Sequence, residues 1–273
     1  MPLAEYLKKH NRVVEAMRAV DPSIVPIAVG AVGERSREML TRSVGHMGLL
    51  SEHTYWQNKP DVPAHVEQAS AGIRRIAEAH RGYRRELPSL EGKDIRLALD
   101  EWNYWYGPNE YGELGTRYFL QDGLGAAAAL HELFRNSDLF FMANYAQTVN
   151  VIGAIKTTKT EAEMETTGLV LKLYRERFGT TPVDVGAPPR PLDVAAALSD
   201  DGRTLTVAVV NPTEEGRRLR LQLAGGRGLS GTGQKWVLTG PSRWSHNRPG
   251  APRQVDTGVR PLGMTPRSSS SLR

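Results

Sequence analysis

The chain contains no cysteine, and this absence removes several kinds of chemistry at once. Disulfides, thiolate metal sites and cysteine nucleophiles are excluded, and the redox compartment is left open. Nowhere do about 18 apolar residues run together, so no transmembrane helix is predicted. The N-terminal segment lacks the apolar core of a signal peptide, which predicts a cytoplasmic protein without a membrane partner.

The chain also lacks a concentrated patch of one charge. Its 273 residues are 40% hydrophobic and 24% charged, enough for one large globular domain or for one medium and one small domain. The formal net charge is +5, and part of it comes from arginines scattered among Gly, Pro and Ser in the last third. Such arginines, without interleaved aromatic side chains, are typical of a solvated surface, so no nucleic-acid partner is expected.

The most informative stretch is residues 94–106, Asp-Ile-Arg-Leu-Ala-Leu-Asp-Glu-Trp-Asn-Tyr-Trp-Tyr. Its first half has the apolar residues of a buried strand. Asp100 and Glu101 follow directly, and burying an unpaired carboxylate is strongly disfavoured. We therefore expect both acids at the C-terminal end of the strand, in a polar pocket surrounded by aromatic side chains.

Strand and helix patterns alternate along the first two thirds of the chain. Helices are predicted at 3–20, 34–47, 61–86, 116–134 and 167–178, and strands at 24–29, 48–56, 94–106 and 139–151. This alternation is typical of a parallel β/α barrel or of a doubly wound sheet. A nucleotide-binding sheet requires a glycine-rich turn after its first strand, which Gly30 to Gly33 resemble only weakly. We therefore predict an α/β fold in which residues 1–182 form about four βα units, with the arrangement of a parallel β/α barrel favoured.

The pattern changes after Pro182. A Gly- and Pro-rich linker at 186–191 precedes period-two alternation at 192–198, 204–210 and 219–223, with a hairpin turn at 199–203 and a further strand at 236–239. This pattern predicts a small antiparallel β-sandwich domain over 183–265. The Ser-rich residues 266–273 are predicted to be a disordered tail.

Polar side chains recur where the predicted strands end, as they do around the active site of a β/α barrel. Glu101 is the residue type that serves as the nucleophile in retaining glycoside hydrolysis. Tyr55 is expected to donate a hydrogen bond that orients this carboxylate. The substrate-binding candidates are polar groups for sugar hydroxyls and flat aromatic faces for sugar rings, namely His53, Asn103, Gln147, Trp56, Trp102 and Trp105.

Considered singly, several of these residues have simpler explanations. An isolated histidine such as His53 is more often a hydrogen-bonded core residue, and isolated tryptophans more often belong to the core. Their joint placement at strand ends favours a carbohydrate site. No metal or cofactor is expected, because the histidines lack ligand spacing and glycoside cleavage by two carboxyl groups needs no metal.

Four motifs together resemble the α-L-arabinofuranosidases of glycoside hydrolase family 51, over residues 6 to 185. The motifs are Ser-Glu-His-Thr-Tyr-Trp at 51–56, Asp-Glu-Trp-Asn-Tyr-Trp-Tyr at 100–106, His-Glu-Leu-Phe-Arg at 131–135 and Met-Ala-Asn-Tyr-Ala-Gln-Thr-Val-Asn-Val at 142–151. The resemblance implies a (β/α)8 barrel followed by a β-sandwich, so that residues 1–182 would form a partial (β/α)8 TIM-type barrel of about four βα units. It also implies release of arabinofuranose from arabinoxylan or arabinan with retention of configuration. It implies that Glu101 is the nucleophile, that Tyr55 orients it, and that His53 and Gln147 line the sugar subsite.

The sequence departs from the family in one respect. Family members place the general acid/base in a Gly-Asn-Glu motif after their fourth barrel strand, and this chain is expected to begin after that point. Glu52 is expected to point away from Glu101, and Glu110 and Glu113 lie on the following loop. Because four strands do not close a barrel, self-association that covers the open edges is expected, and a partner subunit is a further source of the acid.

Two other functions remain open on the sequence alone. The first is a non-catalytic or weakly active carbohydrate-binding remnant that keeps the stacking aromatic residues but lacks the acid/base. The second is an endo-acting glucanase or xylanase that uses the same half-site, since a half-site is more open than an exo-acting pocket.

Overall fold

The computed structural model describes residues 1–109, 112, 115–219, 221–224 and 232–263. The α-helices in these residues are α1 (Leu3–Val20), α2 (Glu34–Arg42), α3 (Val62–Glu86), α4 (Leu120–Arg135) and α5 (Thr166–Arg177). The strands are β1 (Ile27–Val29), β2 (Leu49–Trp56), β3 (Arg96–Tyr104), β4 (Phe140–Tyr145), β5 (Ile155–Thr157), β6 (Ala162–Met164), β7 (Thr181–Val183), β8 (Asp193–Leu198), β9 (Leu205–Val210), β10 (Thr232–Thr239) and β11 (Asp256–Gly263). Short 3-10 helices lie at Val44–His46 and Pro88–Leu90.

The first four strands form one parallel sheet in the order β1-β2-β3-β4. Strand order in space therefore follows chain order. Each strand is connected to the next by a segment containing α2, α3 or α4. A doubly wound sheet reverses its strand order at a switch point, and this sheet does not. The predicted alternation of strands and helices is therefore confirmed, and the C-terminal ends of all four strands lie at one edge of the sheet.

One face of this sheet packs on helices. Leu50 of β2 pairs with Leu97 of β3, and both side chains are buried in one cluster with Ile73 and Ile76 of α3. Full burial of each such side chain contributes about 1.5–3 kcal/mol. Side chains alternate between faces along a strand, so the opposite face is presented by the intervening residues.

Helix boundaries follow local capping. Asp61 accepts a hydrogen bond from the Ala64 amide at 2.8 Å and so caps α3 where the sequence predicts its start. Helix α4 begins at Leu120 rather than Thr116, because the buried Asp122 carboxylate accepts the Phe119 amide at 2.7 Å and satisfies a free donor of the first turn.

The strand predicted at 139–151 is shorter than expected. Strand β4 ends at Tyr145, and the chain then turns through Asn150 and Val151, whose φ angles of 56° and 44° are in the left-handed region. A strand cannot continue through such residues. Gln147 consequently lies on a loop and not on a strand.

The C-terminal part is antiparallel. Strands β7, β8 and β9 form one sheet, β10 and β11 a second, and β5 and β6 a hairpin. The turn predicted at 199–203 connects β8 to β9, with Gly202 at a φ of 65°. The strand predicted at 219–223 is not observed at Leu219 or at 221–223, and Arg220 and the tail 266–273 lie outside the described residues. Strand β7 crosses the expected boundary between residues 182 and 183.

A cluster of three polar side chains joins helix α4 to strand β8, with His131 buried and Asp193 and Arg135 partly exposed. His131 Nδ1 and Arg135 Nη2 each lie 2.6 Å from the Asp193 carboxylate. Burial alone would raise the pKa of Asp193, but the hydrogen bonds from His131 and Arg135 lower it to about 2. The contact fixes the antiparallel sheet to the helical layer. No helix in the described part of the chain is both long and apolar enough to cross a membrane.

A glycine-to-alanine pair tests the packing behind the site. A Cβ on Gly125 of α4 would overlap the Tyr104 hydroxyl, which is held by a 2.7 Å hydrogen bond to the His65 carbonyl. A Cβ on Gly82 of α3 would meet only Glu86 Oε1, at 3.8 Å. We expect Gly125→Ala to destabilise the fold by about 1–3 kcal/mol and Gly82→Ala to stabilise it by about 0.5–1 kcal/mol in urea unfolding. Equal effects of the two changes would contradict this packing.

Candidate active site

Glu101 reaches the open face of the sheet because β3 carries one extra residue relative to β2. Residues 49–52 pair with 96–99, but His53 pairs with Glu101, so Asp100 is left out of the register. Such a bulge redirects the side chains that follow it. Glu101 therefore shares a face with His53 and Tyr55, whereas an unbroken register would pair it with Thr54.

The three side chains form a compact polar group. The Tyr55 hydroxyl donates to Glu101 Oε2 at 2.5 Å, and His53 Nδ1 lies 3.7 Å from the same oxygen. The Glu101 and His53 side chains are 47% and 46% exposed, so the carboxylate is open to a ligand. Burial raises the pKa of Tyr55, and the bond to Glu101 raises it further, so the hydroxyl remains a proton donor at neutral pH.

Glu52, the acid nearest to His53 in sequence, occupies the other face. Its buried carboxylate accepts hydrogen bonds from Ser36 Oγ at 2.6 Å and from the Val32 amide at 2.9 Å, and it lies 2.8 Å from His80 Nε2. These partners belong to the helical layer. Glu52 therefore holds that layer together. Glu110 and Glu113 lie outside the described residues.

Trp56 and Trp102, which the sequence predicts as stacking surfaces for sugar rings, are buried. Their residues are only 5% and 1% exposed, and both rings lie in the core beneath the sheet. Strand alternation accounts for this, because these positions face the helices while Tyr55 and Glu101 face the opening. Trp105, just beyond the strand, is half-buried and packs edge-on against Tyr55 with 5.1 Å between ring centroids.

Asn103 is also buried, in contrast to its expected contact with sugar. Its Nδ2 lies within hydrogen-bond distance of the Tyr118 hydroxyl at 2.7 Å, the Ala146 carbonyl at 2.6 Å and the Ile152 carbonyl at 2.7 Å. Its Oδ1 accepts the Tyr104 amide at 2.7 Å. The buried side chain is thus engaged by Tyr118, by its own strand and by the loop that follows β4, so Asn103 positions the backbone of that loop.

Gln147 is exposed and sits on that loop, immediately after Ala146. Its backbone amide donates to the Ile152 carbonyl at 3.3 Å, and its carbonyl accepts the Ala154 amide at 2.9 Å. Because Asn103 is two residues from Glu101, its bond to Ala146 places the Gln147 loop beside the Glu101 strand. The structure therefore brings the side chains of Glu101, Tyr55 and His53 together. Gln147 is linked to the Glu101 strand through the hydrogen bond from Asn103 to the Ala146 carbonyl.

A buried polar layer under the loop was not predicted from the sequence. Lys156 and Glu165 are both fully buried, next to Tyr118. Burial lowers the pKa of Lys156 and raises that of Glu165, while attraction between the two groups opposes both shifts. The sequence feature that could have indicated this layer is the short alternating segment 155–164, which forms the β5–β6 hairpin and carries Lys156.

Replacement of Asn103 tests the loop attachment. Asn103→Asp puts a buried carboxylate against two carbonyl oxygens, so we expect a loss of at least about 3 kcal/mol of unfolding free energy. Asn103→Ala leaves the carbonyls unpaired and should cost about 1–3 kcal/mol. Asn109→Asp, at an exposed position, is the control and should change stability by less than about 0.5 kcal/mol. If denaturant titration gives Asn103→Asp the same unfolding free energy as the Asn109→Asp control, Asn103 does not attach the loop.

Known proteins resemble this chain in sequence. Residues 100–266 match the family model described as the alpha-L-arabinofuranosidase C-terminal domain. An intracellular exo-alpha-(1->5)-L-arabinofuranosidase 1 of Bacillus subtilis is 25% identical over 260 residues, covering 81% of this chain and 51% of that protein. A probable alpha-L-arabinofuranosidase C of Aspergillus niger is 28% identical over 277 residues, covering 86% and 53%. The chain thus spans about half the length of these relatives.

Solved structures resemble it in fold. The alpha-L-arabinofuranosidase of Thermotoga maritima in its arabinose complex has a TM-score of 0.80 at 26% identity, covering 96% of this chain and 58% of that one. The GH51 alpha-L-arabinofuranosidase of Thermotoga petrophila gives 0.80 at 25% identity, covering 97% and 59%. These similarities fit an α/β fold with a C-terminal β domain. With the family match over residues 100–266, they show that the chain belongs to the α-L-arabinofuranosidases of glycoside hydrolase family 51.

Proposed function

We propose that this chain carries the nucleophile of a retaining α-L-arabinofuranosidase acting on arabinose-containing oligo- and polysaccharides such as arabinoxylan and arabinan. The observation that carries the proposal is the exposed Glu101 carboxylate, held by Tyr55 at 2.5 Å at the C-terminal end of a parallel strand. Family membership supports the same substrate class. An intracellular setting, named for the Bacillus subtilis relative, belongs to the proposal.

In this proposal Glu101 attacks the anomeric carbon of a terminal arabinofuranosyl unit. A bond forms between the carboxylate oxygen and that carbon while the glycosidic C–O bond breaks, and the leaving oxygen takes a proton from an acid. Water then attacks the same carbon and gives its proton to the conjugate base that the acid became, and the ester bond breaks to release arabinose and the free Glu101 carboxylate, with overall retention. Tyr55 keeps one carboxylate oxygen fixed, and His53 and Gln147 are placed to bind sugar hydroxyls.

The mechanism requires a second carboxyl group about 5–5.5 Å from the first. Glu52 cannot supply it, because its carboxylate is buried among Ser36, Val32 and His80 on the helical face. The resemblance places the family's acid/base after an earlier strand. We therefore propose that the acid reaches Glu101 from polypeptide outside the described residues or from a neighbouring subunit.

The partial barrel is part of the same proposal. β1 and β4 are the two outer strands of the sheet, and an uncovered edge is a site for further strand pairing. Three large apolar residues on these strands are exposed, Ile27 by 38%, Val29 by 47% and Phe141 by 55%. Closing a barrel of this type takes eight strands. We propose that association of the chain with copies of itself covers these edges.

Sedimentation velocity tests the association. We expect a dimer or larger assembly at micromolar concentration, and we expect Val29→Lys to shift it toward monomer, because a lysine on an edge strand blocks pairing. Val20→Lys, at an 88% exposed position on α1, is the control and should leave the assembly unchanged. A wild-type protein that sediments only as a monomer would contradict the association.

Hydrolysis of an aryl arabinofuranoside, which has a good leaving group, tests the nucleophile. Glu101→Ala should lower kcat/KM by more than about 10³-fold, because the covalent route is lost. Tyr55→Phe should lower it about 10- to 100-fold through loss of one charge-assisted hydrogen bond. Glu78→Ala, an exposed acid on α3, is the control and should retain full activity.

Two results would overturn the enzymatic proposal. Unchanged hydrolysis by Glu101→Ala would remove Glu101 from the reaction. Binding of arabino-oligosaccharides by the wild-type protein without turnover would select the carbohydrate-binding remnant instead.

A further inference from the structure

The loop from Ala146 to Ala154 contains a β-branched residue, Val151, in the left-handed region of backbone conformation. Asn150 and Val151 have φ angles of 56° and 44°, and the left-handed region is particularly unfavourable for a β-branched residue such as Val151. Backbone of this kind persists where surrounding contacts hold it in place. The contacts that hold this loop therefore determine where Gln147 lies.

On one side the loop is held from beneath by Lys156. The Lys156 ammonium donates to the Val151 carbonyl at 2.9 Å and lies 3.3 Å from the Gly153 carbonyl. The Val151 carbonyl also accepts the Thr116 amide at 2.8 Å. The residue is fully buried, and its Nζ lies 5.3 Å from the centre of the Tyr118 ring.

Burial of an ammonium group is unfavourable in free energy unless an opposite charge and hydrogen-bond acceptors surround it. Glu165, also buried, is the described carboxylate whose charge acts on Lys156. The two carbonyl groups are oriented toward the ammonium, and an ammonium with three donors is well suited to serve both. A neutral apolar side chain of the same length would leave both carbonyls without this donor.

On the other side the loop is held by the strand that bears Glu101. Asn103 lies 2.6 Å from the Ala146 carbonyl and 2.7 Å from the Ile152 carbonyl through its Nδ2. Gln147 is thus flanked by two attachments, one to β3 and one to Lys156. Both attachments act on the segment that carries Gln147.

We propose that Lys156 is a positioning residue that acts through the loop 146–154 to place Gln147 for binding of the terminal arabinofuranose. The proposal rests on the proposed function for its ligand. Lys156 itself is buried and touches no substrate, so its effect is on binding through Gln147 and not on the bond-making step at Glu101.

Hydrogen exchange measured by mass spectrometry tests the loop directly. The loop amides of Asn150, Ala154 and Ile155 donate to carbonyls of this segment and report its order. In Lys156→Met we expect these amides to exchange at least about tenfold faster than in the wild-type protein, while amides of β2 and β3 keep their rates. Lys159→Met, at an exposed position in the same hairpin, is the control and should leave all rates unchanged.

Titration with L-arabinose supplies the functional readout. Lys156→Met should weaken arabinose binding at least about fivefold, as should Gln147→Ala. The double variant should bind no more weakly than Gln147→Ala alone, because Lys156 acts on binding through Gln147. With an aryl arabinofuranoside, the change should appear mainly in KM and not in kcat. Lys156→Gln, which keeps a polar donor, should show a smaller effect and serves if the methionine variant does not fold.

The possible results are distinguishable. Loop exchange within twofold of wild type in Lys156→Met, or in Lys156→Gln if only that variant folds, would overturn the positioning role. Faster loop exchange with unchanged arabinose affinity would also overturn it. If wild-type protein binds no arabinose, the proposed function fails, while the exchange rates still decide whether Lys156 holds the loop.

Discussion

The one-residue shift in the pairing of β2 and β3 is the constraint on which the candidate site depends. It takes Asp100 out of the register and sets Glu101 opposite His53, on the face of the sheet that the helices leave open. The same shift keeps Trp102 on the helical face, in the core. A strand without the extra residue would turn the carboxylate inward, where an unpaired charge is strongly disfavoured. The position of the candidate nucleophile and the packing of the core therefore have the same cause.

The sequence predicted those features that follow from short-range patterns. The alternation of helices and strands, the start of a helix near Asp61 and the turn around Gly202 depend on residues close together in the chain, and the structure agrees with them. The pairing of Tyr55 with Glu101 followed from motifs at the ends of two strands, since parallel strands end at one edge of their sheet.

The features that the sequence did not predict depend on contacts between distant segments. Nothing local to Asn103 indicates that its amide is saturated by the Ala146 and Ile152 carbonyls. The same holds for Lys156, since a lysine is rarely buried and its partners are backbone atoms of no particular sequence. Trp102 was expected beside a ligand because it follows Glu101 directly, but neighbouring residues of a strand point to opposite faces, and its side chain lies in the core. Side-chain direction after a bulge cannot be counted from sequence alone.

Covalent trapping is the direct test of Glu101 as the nucleophile. An arabinofuranoside with a fluorine at C2 and a good leaving group slows the second step of a retaining reaction more than the first, so that the glycosyl–enzyme ester accumulates. Digestion and mass spectrometry then locate the added sugar. We expect an adduct on the peptide that contains Glu101, on Glu101 itself. An adduct on Asp100 or another carboxyl group, or turnover of arabinofuranosides without any adduct on Glu101, would contradict it.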